Sequence, residues 1–241
     1  MHQRRQSPAS AAPVLVGCAH GTRLPAGRRA VAELLLAVAR RRPDLDVVPA
    51  FVDVQSPRLP TVLDRLQQAG RRSVVVPLLL STGYHVRVDI ADAVWGVHDA
   101  VAAAALGPDA RLVEVVLSRL WASGARPGDG IVLAAAGSSD PHALAEVEVA
   151  RRQLAQRWAG EVVVGYAASA EPDVAQAVQS LRRMGYRRVV VASYLLAPGH
   201  FHGRLEQVGA DLVTPPLLAG NGTTDAPDDR LVDQVLARYS H

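Results

Sequence analysis

Three polar side chains stand where apolar segments end in the first half of the chain. His20 follows VLVGCA, Asp53 closes DVVPAFVDV, and His85 lies in the glycine-containing loop STGYHVR after the third apolar run. Two imidazoles and a carboxylate form a donor set for a borderline divalent ion such as Fe²⁺, Co²⁺ or Ni²⁺. The same groups suit proton transfer, because a neutral imidazole accepts a proton near pH 7 and a neighbouring carboxylate orients the ring or shares its charge. A single His-Gly pair is equally compatible with a structural hydrogen bond, so it is the combination that marks a site. Cys18 sits inside an apolar run and reads as a buried thiol. His98 and His142 read as surface residues, and His2 and His241 lie near the chain ends. His200 and His202, in PGHFHGR, form a His-x-His pair that is either a secondary metal or substrate contact or a remnant filling the opposite wall.

The elements that must position these residues are legible as two periodicities. Apolar runs without alternation, VLVGCA from Val14, DVVPAFVDV from Asp46 and SVVVPLLL from Ser73, predict strands buried on both faces. Between them, amphipathic stretches over 27–42 and 57–69 predict helices; in the second, Leu59, Val62, Leu63 and Leu66 recur at helical spacing. Strand and helix in alternation predict a parallel, doubly wound α/β sheet. In such sheets the ligand crevice forms beyond the carboxyl ends of the strands, where His20, Asp53 and His85 fall.

The pattern then restarts. IVLAAAGSSD from Ile131 matches the first strand, EVVVGYAASAEPDVAQAV from Glu161 the second, and RRVVVASYLLAPGH from Arg187 the third. Gly21 and Gly137 are 116 apart, as are Gly83 and Gly199, while Pro57 and Pro172 are 115 apart. Copies of this length can each carry a core, so the pattern predicts two tandem domains facing a shared cleft rather than a solenoid. The expected division is a disordered leader over 1–12, a catalytic domain over 13–125 and a second domain over 126–241, joined through the linker chemistry of SGARPGD. The duplication also supplies an internal control. His20 aligns with Ala136, Asp53 with Ala168 and His85 with Phe201, so the chemistry is expected in the first copy alone.

Composition narrows the class. One cysteine excludes a disulfide framework and a cysteine-rich metal site within the chain, which fits a reducing cytoplasm. No apolar run approaches the ~18 residues that span a bilayer, so no membrane partner is expected. Every basic side chain is arginine and none is lysine. That suits an anionic partner, although a GC-rich coding sequence produces the same bias. Aromatics at 4% and no arginine cluster interleaved with stacking residues argue against nucleic acid.

At HGTR, FVDVQSP and LLLSTGYHVRVDI the first half resembles the CbiX/SirB family of class II chelatases, and the doubled length resembles its two-domain bacterial form. The resemblance implies a lyase-class enzyme that inserts Co²⁺ or Fe²⁺, with Ni²⁺ a further possibility, into the carboxylate-rich tetrapyrrole sirohydrochlorin for cobalamin or siroheme biosynthesis. It selects His20 and His85 for metal delivery and proton abstraction, with Asp53 in the place of a more usual glutamate. Ser81, Thr82, Gly83, Arg23 and Arg87 then become substrate-binding candidates, the arginines as partners for carboxylates. The metal is substrate and no organic cofactor is implied. A non-catalytic metal or tetrapyrrole carrier would use the same ligands. A phosphoryl or hydrolytic enzyme with a nucleophilic histidine after arginine is disfavoured by Ala19. The duplication is compatible with a monomer that mimics a dimer of single domains or with a homodimer.

Overall fold

The computed structural model describes residues 12–81, 83–219 and 226–240, and of 84–87 the backbone only. The predicted architecture is present: two four-stranded parallel sheets, ordered β2-β1-β3-β4 and β6-β5-β7-β8. The first comprises β1 (Val14–Ala19), β2 (Val47–Phe51), β3 (Ser73–Pro77) and β4 (Ala100–Ala102). The second comprises β5 (Gly130–Ala135), β6 (Val162–Tyr166), β7 (Val189–Tyr194) and β8 (Leu212–Val213). Strands β1, β5 and β7 are buried at every position, as runs without polar alternation require. In each sheet the order reverses at the first strand, which opens a crevice at the carboxyl ends of β1 and β3 or of β5 and β7.

Helices α1 (Pro25–Arg41), α2 (Leu59–Gln68) and α3 (Tyr84–Val94) follow the first three strands. Helix α1 begins two residues before the stretch predicted from apolar spacing, because Pro25 fits the first turn, where its missing N–H costs nothing. It buries Ala30, Val31, Leu34, Leu35 and Val38, a stripe at three- and four-residue intervals. The second copy repeats this with α5 (Pro141–Ala155), α6 (Val174–Arg183) and α7 (His200–Leu205).

The closing helices, α4 (Ala110–Ala122) and α8 (Asp229–Tyr239), are exchanged between the halves. Helix α4 packs on α5 and β7, whereas α8, from the far end of the chain, packs on α1 and β3. Polar bonds fix α8 in place: Gln234 Nε2 donates to the Leu106 carbonyl at 2.6 Å, and Tyr239 donates to the Pro13 carbonyl at 2.7 Å. One apolar core consequently runs through both sheets, joining Leu15, Leu34 and Val76 to Leu133, Val190 and Leu231. Smaller clusters cover the outer face of each sheet. Among the described residues no helix is long and apolar enough to cross a membrane.

Candidate active site

The loop after β1 carries His20, exposed at the strand end, and is locked to the loop after β2 by main-chain bonds. The Val52 amide donates to the Ala19 carbonyl at 3.0 Å, and the Asp53 amide to the His20 carbonyl at 2.9 Å. Gly21 follows with φ of 100° beneath the Asp53 peptide oxygen, with which any Cβ would collide, so only glycine permits this closure. Gln55 completes the lock by accepting the Thr22 amide at 2.8 Å, while Arg28 donates to the Thr22 carbonyl. Together these bonds present His20 and Arg23 on a braced turn.

Asp53 lies two residues past the end of β2 rather than closing the strand, because the chain turns sharply there and the Gln55 amide bonds back to the Asp53 carbonyl at 2.6 Å. Its carboxylate, 57% exposed, pairs with Arg58 at 3.0 Å. The Val54 amide, then Arg58 and more weakly His20, hold its pKa below the usual aspartate value. It is therefore an anion at neutral pH, close enough to His20 to share its field. Helix α3 begins at Tyr84 behind an extended Gly83, so His85 belongs to its first turn and not to a loop. Thr82 and the side chains of His85 and Arg87 lie outside the described residues, as do residues 1–11 of the predicted 1–12 leader.

His20 stands between two concavities. One, of about 830 Å³, is the cleft between the halves, lined by Arg23, Ser81 and Gly83 from the first and by Ala136, Gly137, Tyr194 and residues 195–202 from the second. The other, of about 820 Å³, lies on the outer side of the first half and is lined by Asp53, Arg58, Asp89 and Asp92. The two candidates thus flank a partition, His20 facing both spaces and Asp53 the outer one. Among the described residues no group of three histidine, cysteine or carboxylate side chains is arranged to hold a metal ion. Burial pushes the Cys18 thiol up to about 12, so it is a neutral core group.

In the second half the equivalent positions carry Ala136, Ala168 and Phe201. His202 is committed locally, its Nε2 lying 3.2 Å from the Thr214 carbonyl, while His200 is exposed with its ring 6.0 Å from that of Phe201. His98 and His142 are exposed, as expected of surface residues. Sequence reasoning missed Tyr194, whose hydroxyl reaches the Leu80 carbonyl of the first half at 3.4 Å and whose pKa is raised by burial. The signal was available: Tyr194 aligns with Leu78, so one copy places a phenol where the other has only hydrocarbon.

Comparison with known proteins bears on the family and the fold. The CbiX family model matches residues 14–122 and again 130–213, and the chain belongs to that family. A sirohydrochlorin ferrochelatase of Priestia megaterium is 26% identical over 215 residues, 82% of this chain and 79% of that protein. A sirohydrochlorin cobaltochelatase of Methanococcoides burtonii is 29% identical over 80 residues, 32% of this chain and 59% of that protein. In fold, SirB from Bacillus subtilis with Fe³⁺ superposes with a TM-score of 0.78 at 19% identity, over 95% of this chain and 94% of that one.

Proposed function

We propose that the protein is a sirohydrochlorin chelatase, a lyase that inserts Co²⁺ or Fe²⁺ into the metal-free macrocycle for siroheme or cobalamin synthesis. The observation that carries this reading is the placement of His20 between the inter-half cleft and the outer concavity that Asp53 lines, in the copy that has chemistry to offer. Membership of the CbiX family and the names of the Priestia and Methanococcoides relatives support it.

Insertion replaces two pyrrolic protons by one divalent metal, so the chain must accept protons, hold an anionic ring and receive a cation. His20 takes a proton from the pyrrole nearest the cleft mouth and passes it to solvent, to which its side chain is open. Asp53, anionic beside it, favours the imidazolium that forms and the approach of a divalent cation. We assign metal delivery and proton abstraction to His20 and His85 jointly, His85 from its sequence position, and the second copy to the opposite wall of the cleft. Arg23 lines the cleft, and its guanidinium suits the carboxylates at the ring's edge. From their sequence positions we assign Ser81, Thr82, Gly83 and Arg87 to substrate binding, and His200 and His202 to secondary contacts.

An anaerobic assay with sirohydrochlorin and Co²⁺, Fe²⁺ or Ni²⁺ tests the proposal, with metallated ring read by absorbance. Many equivalents of product per chain are expected. A single equivalent would instead describe a carrier, and none would remove the reading.

A further inference from the structure

Eight large apolar side chains are conspicuously exposed among the described residues, and three of them, Leu24 (45%), Val54 (38%) and Phe201 (36%), line the cleft between the halves. Leu24 and Val54 come from the loops after β1 and β2, Phe201 from α7 across the gap. Exposed hydrocarbon gathered in one concavity marks a binding surface.

Val54 carries a second, independent sign. Its φ is 65°, in the left-handed region, where a β-branched side chain crowds its own backbone more than other residue types do. The turn itself requires this conformation, since the equivalent Ser169 of the second half has φ of 58°. Glycine or asparagine would satisfy such a turn without the crowding. Nor does packing offset the strain, because Val54 joins none of the apolar clusters on either side of the sheets. A strained, partly exposed side chain outside the packed core is available for a contact outside the fold.

A hydrated metal ion has no use for hydrocarbon, whereas a tetrapyrrole has two apolar faces and an anionic rim. We infer that Leu24, Val54 and Phe201 form a bed for one face of the macrocycle, assembled from both halves, with Arg23 beside Leu24 at the rim. This rests on the proposed chelatase function and adds to it which residues hold the ring and why the half without reactive groups is required. Phe201, aligned with His85, presents an aromatic surface for offset stacking on a pyrrole.

The test uses the full chain with Val54→Gly and Phe201→Ala, and Met184→Ala as an exposed control outside the cleft. Metal-free sirohydrochlorin is titrated by fluorescence, Co²⁺ alone by calorimetry, and unfolding is followed by heat. Val54→Gly is expected to weaken ring binding about tenfold, the effect of losing one buried aliphatic side chain. Its Tm is expected to equal or exceed the parent's, since the crowding is relieved. Phe201→Ala weakens ring binding at least as much, and Co²⁺ binding is unchanged in both. A merely structural valine would give the opposite pattern, a lower Tm with unaltered ring affinity. Parental ring affinity in both variants, with insertion intact in the parent, overturns the bed and leaves the chelatase reading standing. A parent that neither binds nor metallates the ring overturns both.

Discussion

The Asp53 amide donates to the His20 carbonyl at 2.9 Å, and in the second half the Ala168 amide donates to the Ala136 carbonyl at 3.0 Å. One backbone bond thus occurs twice, once joining two ionisable residues and once joining two alanines. The conformation at position 20 accordingly accepts alanine without distortion. His20→Ala should keep its melting temperature, since the side chain is exposed and bonds nothing that holds the fold. Its insertion rate should fall by about a hundredfold or more, the usual contribution of a positioned proton acceptor. Parallel turnover and melting measurements check this, and a fully active His20→Ala removes His20 from the reaction.

Asp53 makes a separate prediction about pH. Its folded pKa is depressed first by the Val54 amide and then by Arg58 and His20, so it ionises more readily in the folded chain than in the unfolded one. The stabilisation it provides is present above the unfolded value, about 3.9, and disappears as pH falls through the lower folded value. Above pH 5 the carboxylate does not titrate, and any acid limb of the activity profile there belongs to another group. Asp53→Asn should therefore lower activity at every pH above 5, because the anion that favours the imidazolium on His20 is gone. Parental activity in Asp53→Asn, read by the insertion assay across the profile, would remove the carboxylate from the reaction.

Much of this was legible from the chain. Unalternating runs at Val14, Ser73 and Ile131 marked buried parallel strands because parallel sheets are covered on both faces. The repeat offset located the inert partners Ala136 and Ala168 because equivalent loops close with the same glycine geometry, Gly21 and Gly137 having φ of 100° and 91°. What periodicity could not supply was which sheet a helix covers: α4 and α8 carry ordinary amphipathic stripes, and the pattern is the same whether the face is buried at home or across the gap. Nor did it show that Asp53 turns away from the cleft, a consequence of the tight turn at 53–55 rather than of spacing.

The helix exchange predicts how the halves depend on one another. Gln234 is fully buried, donates to the Leu106 carbonyl and accepts from Arg111 at 2.7 Å. Gln234→Ala leaves the Leu106 carbonyl with Arg238 alone and takes an acceptor from Arg111, and should cost about 1–3 kcal/mol in urea unfolding, without a change in m.

A fragment of residues 12–125 would lack α8 and expose the apolar face of α1 and β3 that this helix covers. Its own α4 would have no second sheet to pack on. The fragment should either fail to fold or pair with a second copy, each lending α4 to the other. Light scattering with circular dichroism distinguishes these outcomes, and a folded monomer would contradict the exchange.

The asymmetry between the copies gives the most exposing test. His202 is tied through Nε2 to the Thr214 carbonyl, and His200 is an exposed residue on the far wall of the cleft. Neither aligns with His20, whose equivalent is Ala136, and a methyl group neither accepts a proton nor binds a cation. The double variant His200→Ala, His202→Ala should therefore keep kcat within a few-fold while KM for the ring rises, because the wall is altered and the proton acceptor is not. Some loss of stability is expected too, since the Thr214 carbonyl loses its imidazole partner; heat unfolding measures this independently of turnover. If kcat in the double variant instead falls as far as in His20→Ala, the reacting groups are shared across the cleft and the second half is catalytic in its own right.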